Sequence, residues 1–323
     1  MSRKALLTIV AVIGIGLALA PVAFQMFSRA PKGAAMLTDF KPFMTTERLD
    51  GFQKDIGEID SAVREVDTKA VPQLHATDPK HAAGALASYQ DLQQQWPQID
   101  STMTDLLDKV QDNLGNYQAM AALPSFRLFP WFFVIPGVLM AALAIAGLLG
   151  ALPPQPTRIG LAVIGIALIL APVATQMFDR APKGADMMST FKQIETPQKI
   201  GQIQQYFSTM AVGQGAIRND IVPALRSSGV SQAALAADYP SITALDADWV
   251  HILNDMTPMI GAMSDSLPRF QAISSLPSFM LFPWFFVVPG ALVFFAAIAA
   301  GAPPQRRPDT PAEASVATDP VAA

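Results

Sequence analysis

Apolar and polar positions along this chain sort into long blocks. Four runs carry no charged side chain: residues 5–27, 128–152, 159–178 and 281–302. Each is about 20 residues or longer, enough to cross a hydrocarbon core of about 30 Å as a helix. Soluble core helices rarely stay apolar all round over such a length. The pattern therefore predicts four transmembrane helices.

Two polar segments, 28–127 and 179–280, lie between the first and second runs and between the third and fourth. Their apolar residues recur at steps of three and four. Phe52, Ile56, Ile59, Val63 and Val66 form one stripe; Leu92, Trp96, Ile99, Met103, Leu106 and Val110 form the next, extended by Leu114 and Tyr117. The second segment repeats this with Ile203, Phe207, Met210, Ile217 and Ile221, then Leu245, Trp249, Ile252, Met256, Met263, Leu267 and Phe270. Such spacing gives narrow apolar seams, as in a coiled coil or antiparallel bundle. Each segment reads as a helical hairpin turning near 72–79 and 223–229, and two hairpins side by side would make a four-helix bundle. The acidic residues Asp55, Glu58, Asp60, Glu65 and Asp67 are expected on a solvated outer surface.

The chain is also written twice. Residues from Ile13 read IGIGLALAPVAFQMFSRAPKGAAM, and those from Ile164 read IGIALILAPVATQMFDRAPKGADM. LPSFRLFPWFFVIPG from Leu123 matches LPSFMLFPWFFVVPG from Leu276. The expected fold class is an all-α membrane protein of four transmembrane helices in two parallel tandem repeats. Repeat 1 covers 5–152, with membrane runs 5–27 and 128–152 around an ectodomain at 28–127. A cytoplasmic link at 153–158 leads to repeat 2, 159–302, with membrane runs 159–178 and 281–302 around an ectodomain at 179–280. The tail 303–323, rich in Pro, Ala, Thr and acid, is expected to be disordered and cytoplasmic. The first run continues past the cleavage-like Ala18-Leu19-Ala20, with Pro21 next, so it reads as an uncleaved anchor.

The short segments carry Arg3, Lys4, Arg158, Arg306 and Arg307. The positive-inside rule puts them in the cytoplasm, with both large segments outside and the protein in the cell membrane. Basic residues on the large segments oppose this, but loops of that length translocate largely regardless of charge. In outline, four crossings with two large helical ectodomains resemble the prominins. No motif carries residue roles across, and this chain has no cysteine.

Composition then removes function classes. The absence of cysteine excludes disulfides, thiolate metal sites and cysteine nucleophiles. The net charge of −4 argues against a nucleic-acid partner. No membrane run holds an ionisable group of the sort ion-driven transporters use. No phosphate loop or hydrolase motif occurs, and His75, His81 and His251 form no ligand frame, so neither a catalyst, a cofactor nor a metal is expected.

Candidate contacts come from the repeated blocks. Arg29, Lys32, Arg180 and Lys183 of the two RAPKG motifs are candidate contacts for lipid headgroups. Pro31 and Pro182 should stop the helix there, and Gly33 and Gly184 should allow a sharp turn. Trp131, Phe132, Trp284 and Phe285 are candidate interfacial anchors, or the lining of a lateral opening for an acyl chain. Gln25 and Gln176, with Gly16, Ala20, Ala167 and Ala171, are candidate helix-packing positions. The expected partners are the lipid bilayer and other membrane or envelope proteins, with a homo-oligomer allowed. The expected function is a non-enzymatic scaffold or accessory subunit of an envelope complex; the alternative is transport of a lipid or other hydrophobic molecule.

Overall fold

Four helices are long and apolar enough to cross a membrane: Arg3–Ala23, Phe126–Leu148, Pro154–Ala174 and Phe279–Ala299. The computed structural model describes residues 2–77 and 79–300, which form helices and turns without a strand. Asp78, the His81 side chain and the tail at 303–323 lie outside the described residues.

The first apolar run folds as α1 (Arg3–Ala23), opened by the Ser2 hydroxyl, which accepts from the Ala5 amide. It leads into α2 (Met26–Phe40). The second run folds as a 3₁₀ turn, Phe126–Leu128, and α8 (Phe129–Leu148), with Pro130 in its first turn, where a missing N–H costs nothing. Helix α9 (Pro154–Ala174) leads into α10 (Met177–Ile194), and a 3₁₀ turn, Phe279–Leu281, leads into α15 (Trp284–Ala299). The apolar helices keep large side chains such as Val12, Leu19, Val138, Val163, Leu170 and Phe295 more than half exposed. A surface of that kind suits hydrocarbon rather than water.

Within this layer α1 packs along α8 and α9 along α15, while α8 touches α9 and α1 touches α15. The two long contacts are backbone to backbone. A Cβ on Gly14 would lie 2.7 Å from the Ala141 amide nitrogen, and one on Gly137 2.6 Å from that of Ala18. In the other pair, a Cβ on Gly165 or on Gly290 would lie 2.8 Å from the opposite glycine's carbonyl oxygen. Lipid supplies no hydrophobic drive between helices, so close approach through small residues holds them together. Gly150, at φ +74, closes α8 with the Ala151 amide donating to the Ala146 carbonyl, and the tight turn brings α9 back beside α8.

The polar segments build a second layer. Helix α3 (Thr46–Glu65) is capped by Thr45 and passes through a π turn, Val66–Ala70, into α4 (Val71–Thr77). Helix α11 (Pro197–Ala216) passes through the π turn Ile217–Ile221 into α12 (Val222–Ser227). Pro72 and Pro223 explain both turns. A proline has no N–H for the carbonyl four residues back, and a local i→i+5 register absorbs the loss; the Val71 amide donates to Val66 and the Val222 amide to Ile217. The chain then reverses through α5 (Pro79–Ala87) into α6 (Gln90–Asp112) and α7 (Leu114–Ala121). In the second half it reverses through α13 (Gln232–Asp238) into the 35-residue α14 (Pro240–Ser274). The reversals are thus broader than the sequence suggests.

Helices α3, α6, α11 and α14 touch in a closed ring, α3 against α6 and α14, α11 against the same two. Lower down, α2 packs on α14 and α7 on α10. The expected stripe residues fill this core, Phe52, Ile59, Ile99, Ile221 and Ile252 being almost inaccessible. On α11 the buried aromatic is Tyr206, with Phe207 half-buried. Side chains of Leu123, Phe126, Leu276 and Phe279 pack against both the bundle core and the membrane-layer core, joining the two.

Polar contacts tie the halves together. Glu65 is buried and accepts from the Ser241 and Ile242 amides at 2.8 and 3.0 Å, so its carboxylate caps α14 from the opposite half. Arg48 pairs with Asp255 at 2.9 Å and Arg269 with Asp39. Asp55, expected on the surface, is buried between α3 and α14. Burial raises its pKa, and nearby Asp255 raises it further.

Candidate functional site

The join between the two layers gathers most of the residues singled out from sequence. Helix α1 ends at Ala23 and α9 at Ala174, before the apolar runs end at 27 and 178. The break falls on Gln25 and Gln176, both left-handed at φ +55. Each glutamine closes one helix and opens the next: the Gln25 amide donates to Val22, and the Gln25 carbonyl accepts from Ser28 and Arg29. A left-handed non-glycine residue costs roughly 1–2 kcal/mol, and here the side chain is also held. Arg29 donates to the Gln25 amide oxygen at 3.2 Å and Arg180 to that of Gln176 at 2.8 Å. The glutamines do not meet across the molecule; each is exposed and sits in its own joint.

This geometry corrects the reading of the RAPKG motifs. Pro31 lies inside α2 and Pro182 inside α10, and both helices continue. The chain has already turned at the glutamines, so the prolines fall early in fresh helices. Gly33 and Gly184 are helical contact points rather than turns. A Cβ on Gly33 would meet Ile273 at 3.4 Å, and one on Gly184 would strike the Met120 sulfur at 2.4 Å. Arg180 also donates to the Ala122 carbonyl at 2.8 Å, capping the end of α7. Arg29 and Arg180 are half-buried, while Lys32 and Lys183 are exposed.

The small residues expected at helix contacts divide differently. Gly16 and Ala167 are exposed, Ala20 and Ala171 half-buried, and a Cβ on Gly16 would meet nothing within 4 Å. The intramolecular contact belongs to Gly14 with Ala18 and to Gly165, one face round the helix from the expected positions. The available signal was the Gly14/Gly137 and Gly165/Gly290 spacing, but several small-residue registers coexist in these runs.

The aromatic blocks form two arrangements. Trp131 and Trp284 are about half exposed, and each is met edge-on by a phenylalanine of the preceding joint, Phe27 at 5.7 Å and Phe178 at 5.8 Å. Phe132 and Phe285 stack edge-on against Phe129 and Phe282. Inside, Phe126 meets Phe279 at 6.1 Å, Phe129 meets Phe282 at 5.5 Å, and Phe133 meets Phe286 at 4.7 Å. Each of these three pairs joins equivalent positions of the two LPSF blocks. Phe40 and Phe191, equivalent in the other repeated block's frame, also meet at 6.1 Å.

Two openings flank this column. An apolar groove of about 190 Å³ lies between α1 and α15, lined by Gly16, Ala20, Phe24, Phe133, Phe285 and Pro289 among others. Two expected packing residues and one expected anchor therefore share a groove facing outward from the apolar layer. A larger cleft of about 780 Å³ lies between α2, α7 and the Phe126–Leu128 turn, with Lys41 and Arg127 on its wall.

One titratable group was not foreseen. Glu195 is buried beside Phe191, Met259 and Met263, with one oxygen accepting from the Ser266 hydroxyl at 3.2 Å and the other without a partner. Burial pushes its pKa up from 4.5 to about 7, and the Ser266 hydrogen bond offsets part of that rise. The equivalent position in the first half is Met44, so nothing in the repeat pattern marks it.

Among the described residues no cluster of His, Asp or Glu suits a metal ion. No family model, curated protein or solved structure matches this chain.

Proposed function

We propose that this chain is a non-enzymatic multi-pass protein of the cell membrane that binds a lipid or similar hydrophobic molecule. In this reading two parallel repeats are related by a twofold axis along the Phe126/Phe279, Phe129/Phe282 and Phe133/Phe286 column. The termini and the 153–158 link are cytoplasmic, and the helical bundle stands outside. The observation that carries the lipid reading is the groove between α1 and α15. Its lining is apolar, and it opens from helices whose outer faces are already lipid-like. Trp131 and Trp284 supply anchors at headgroup level.

The scaffold reading stays as the second proposal, favoured by the long ring of α3, α6, α11 and α14. The surface of that ring weighs against it as the main role. Val212 and Val250 are its exposed large apolar side chains among the described residues, whereas obligate interfaces bury broad apolar patches.

Native mass spectrometry of the purified chain tests the proposal. Lipid should be retained through mild detergent, and Gly16→Leu with Ala20→Leu, which fill the groove, should strip most of it. Equal retention in the filled variant would overturn the groove as the site. Arg29→Ala with Arg180→Ala tests the headgroup contacts separately; unchanged retention there removes the arginines from the account and leaves the groove in place.

A further inference from the structure

The cleft between α2, α7 and the Phe126–Leu128 turn differs from the groove in its charge. Its volume of about 780 Å³ falls in the range of small-molecule sites. Leu37 and Phe126 give it an apolar floor, Thr38 and Ser125 give polar edges, and Lys41 and Arg127 add two positive charges. Both cations are exposed, and neither belongs to a described ion pair. The turn that carries Arg127 opens the apolar stretch Phe126–Leu148, so the mouth stands where that stretch begins.

The second half lacks this charge arrangement. LPSFRLFPWFF and LPSFMLFPWFF differ at one position only, Arg127 against Met280. Lys192 stands where the first half has Lys41, but Glu195 stands in place of Met44 and Asp186 in place of Ala35. The Lys41 and Arg127 pair of the first half thus corresponds to Lys192 and Met280 in the second.

We propose that this cleft binds the phosphate headgroup of an anionic phospholipid drawn from the bilayer, with Lys41 and Arg127 as its cationic contacts. Arginine suits phosphate through its planar donor fork and lysine through its compact charge. The apolar floor and the adjoining membrane stretch select a lipid over free phosphate. The inference rests on the lipid-binding reading above and assigns it a second site with a headgroup preference.

The test uses the full chain equilibrated with equimolar phosphatidylglycerol and phosphatidylcholine and read by native mass spectrometry. Wild type should retain phosphatidylglycerol about tenfold over phosphatidylcholine, the equivalent of about 1.4 kcal/mol. Arg127→Met, which installs the residue found at 280, and Lys41→Gln should each bring that ratio close to one with phosphatidylcholine retention unchanged. A ratio that survives both variants, or a wild type with no headgroup preference, overturns this site and leaves the groove proposal standing. Displacement of phosphatidylglycerol by equimolar inorganic phosphate would assign the cleft to free phosphate and overturn the lipid source. Absence of any retained lipid overturns both proposals.

Discussion

The membrane layer and the bundle above it solve the same problem with opposite means. In the apolar layer, α1 with α8 and α9 with α15 meet through glycine backbones, and the two contacts resemble each other closely. In the bundle, large side chains fill the centre, and each half leans on the other through α3–α14 and α6–α11. Water drives the second kind of packing, because each buried side chain leaves an aqueous surface. Hydrocarbon drives nothing of the sort, so the first kind depends on shape and close contact. The difference extends to symmetry. Where backbones touch, both halves keep the same glycines, Gly14 as Gly165 and Gly137 as Gly290; where side chains fill space, some positions match, as Trp96 and Trp249 do, and others diverge, as with Glu195 against Met44 and Asp55 against Tyr206.

The contrast predicts where damage is greatest. Phe52→Ala empties the centre of the bundle and should cost about 3–5 kcal/mol, read as a fall in the chemical-denaturation midpoint of the bundle signal. Gly14→Leu should force α1 from α8 and cost about 3 kcal/mol, whereas Gly16→Leu, two residues on, should leave thermal stability in detergent within about 0.5 kcal/mol. Similar losses from both glycines would erase the distinction between the contact face and the groove face.

Glu195 gives the bundle a pH dependence. Its folded pKa is about 7 against 4.5 for the free group, so the folded chain holds a proton that the unfolded chain releases between those values. Its contribution is full below pH 4.5, declines as pH rises, and is lost just above pH 7, a change on the order of 3 kcal/mol. Glu195→Gln should flatten that slope and raise the melting temperature at pH 8; an unchanged pH profile would show that the carboxyl does not titrate in this range. A smaller loss is expected at the cap of α14. Glu65→Ala removes a buried acceptor from the Ser241 and Ile242 amides and should cost about 2 kcal/mol, seen as faster hydrogen exchange over the first turn of that helix.

The hydropathy pattern made the four apolar helices legible, and the three–four spacing marked the central stripes of the bundle core but not the residues that surround them, such as Phe40, Tyr89, Phe191, Tyr206 and Ile260. Both signals are local and repeat over many residues. What escaped was long-range or degenerate. Arg48 and Asp255 are separated by 207 positions and Arg269 and Asp39 by 230, so no local pattern could pair them. Gly14 and Gly16 offer the same chemistry in the same run, and only the position of α8 decides which one faces a helix. Gln25 and Gln176 show in the sequence as polarity inside an apolar run, which suggests packing, whereas a left-handed backbone outside glycine leaves no such mark. Arg127 differs from Met280 within an otherwise matching stretch, and no local pattern tells that its side chain lines a cleft.

In the proposed topology four helices cross the bilayer and both halves of the bundle stand on one face of it. The chain has no cysteine, so single cysteines can be placed at the exposed Ser88, Ala233 and Gln155 and labelled in intact cells with a membrane-impermeant maleimide. Positions 88 and 233 should be labelled, with 155 labelled only after lysis. Labelling of 155 in intact cells, or opposite behaviour of 88 and 233, would contradict this topology.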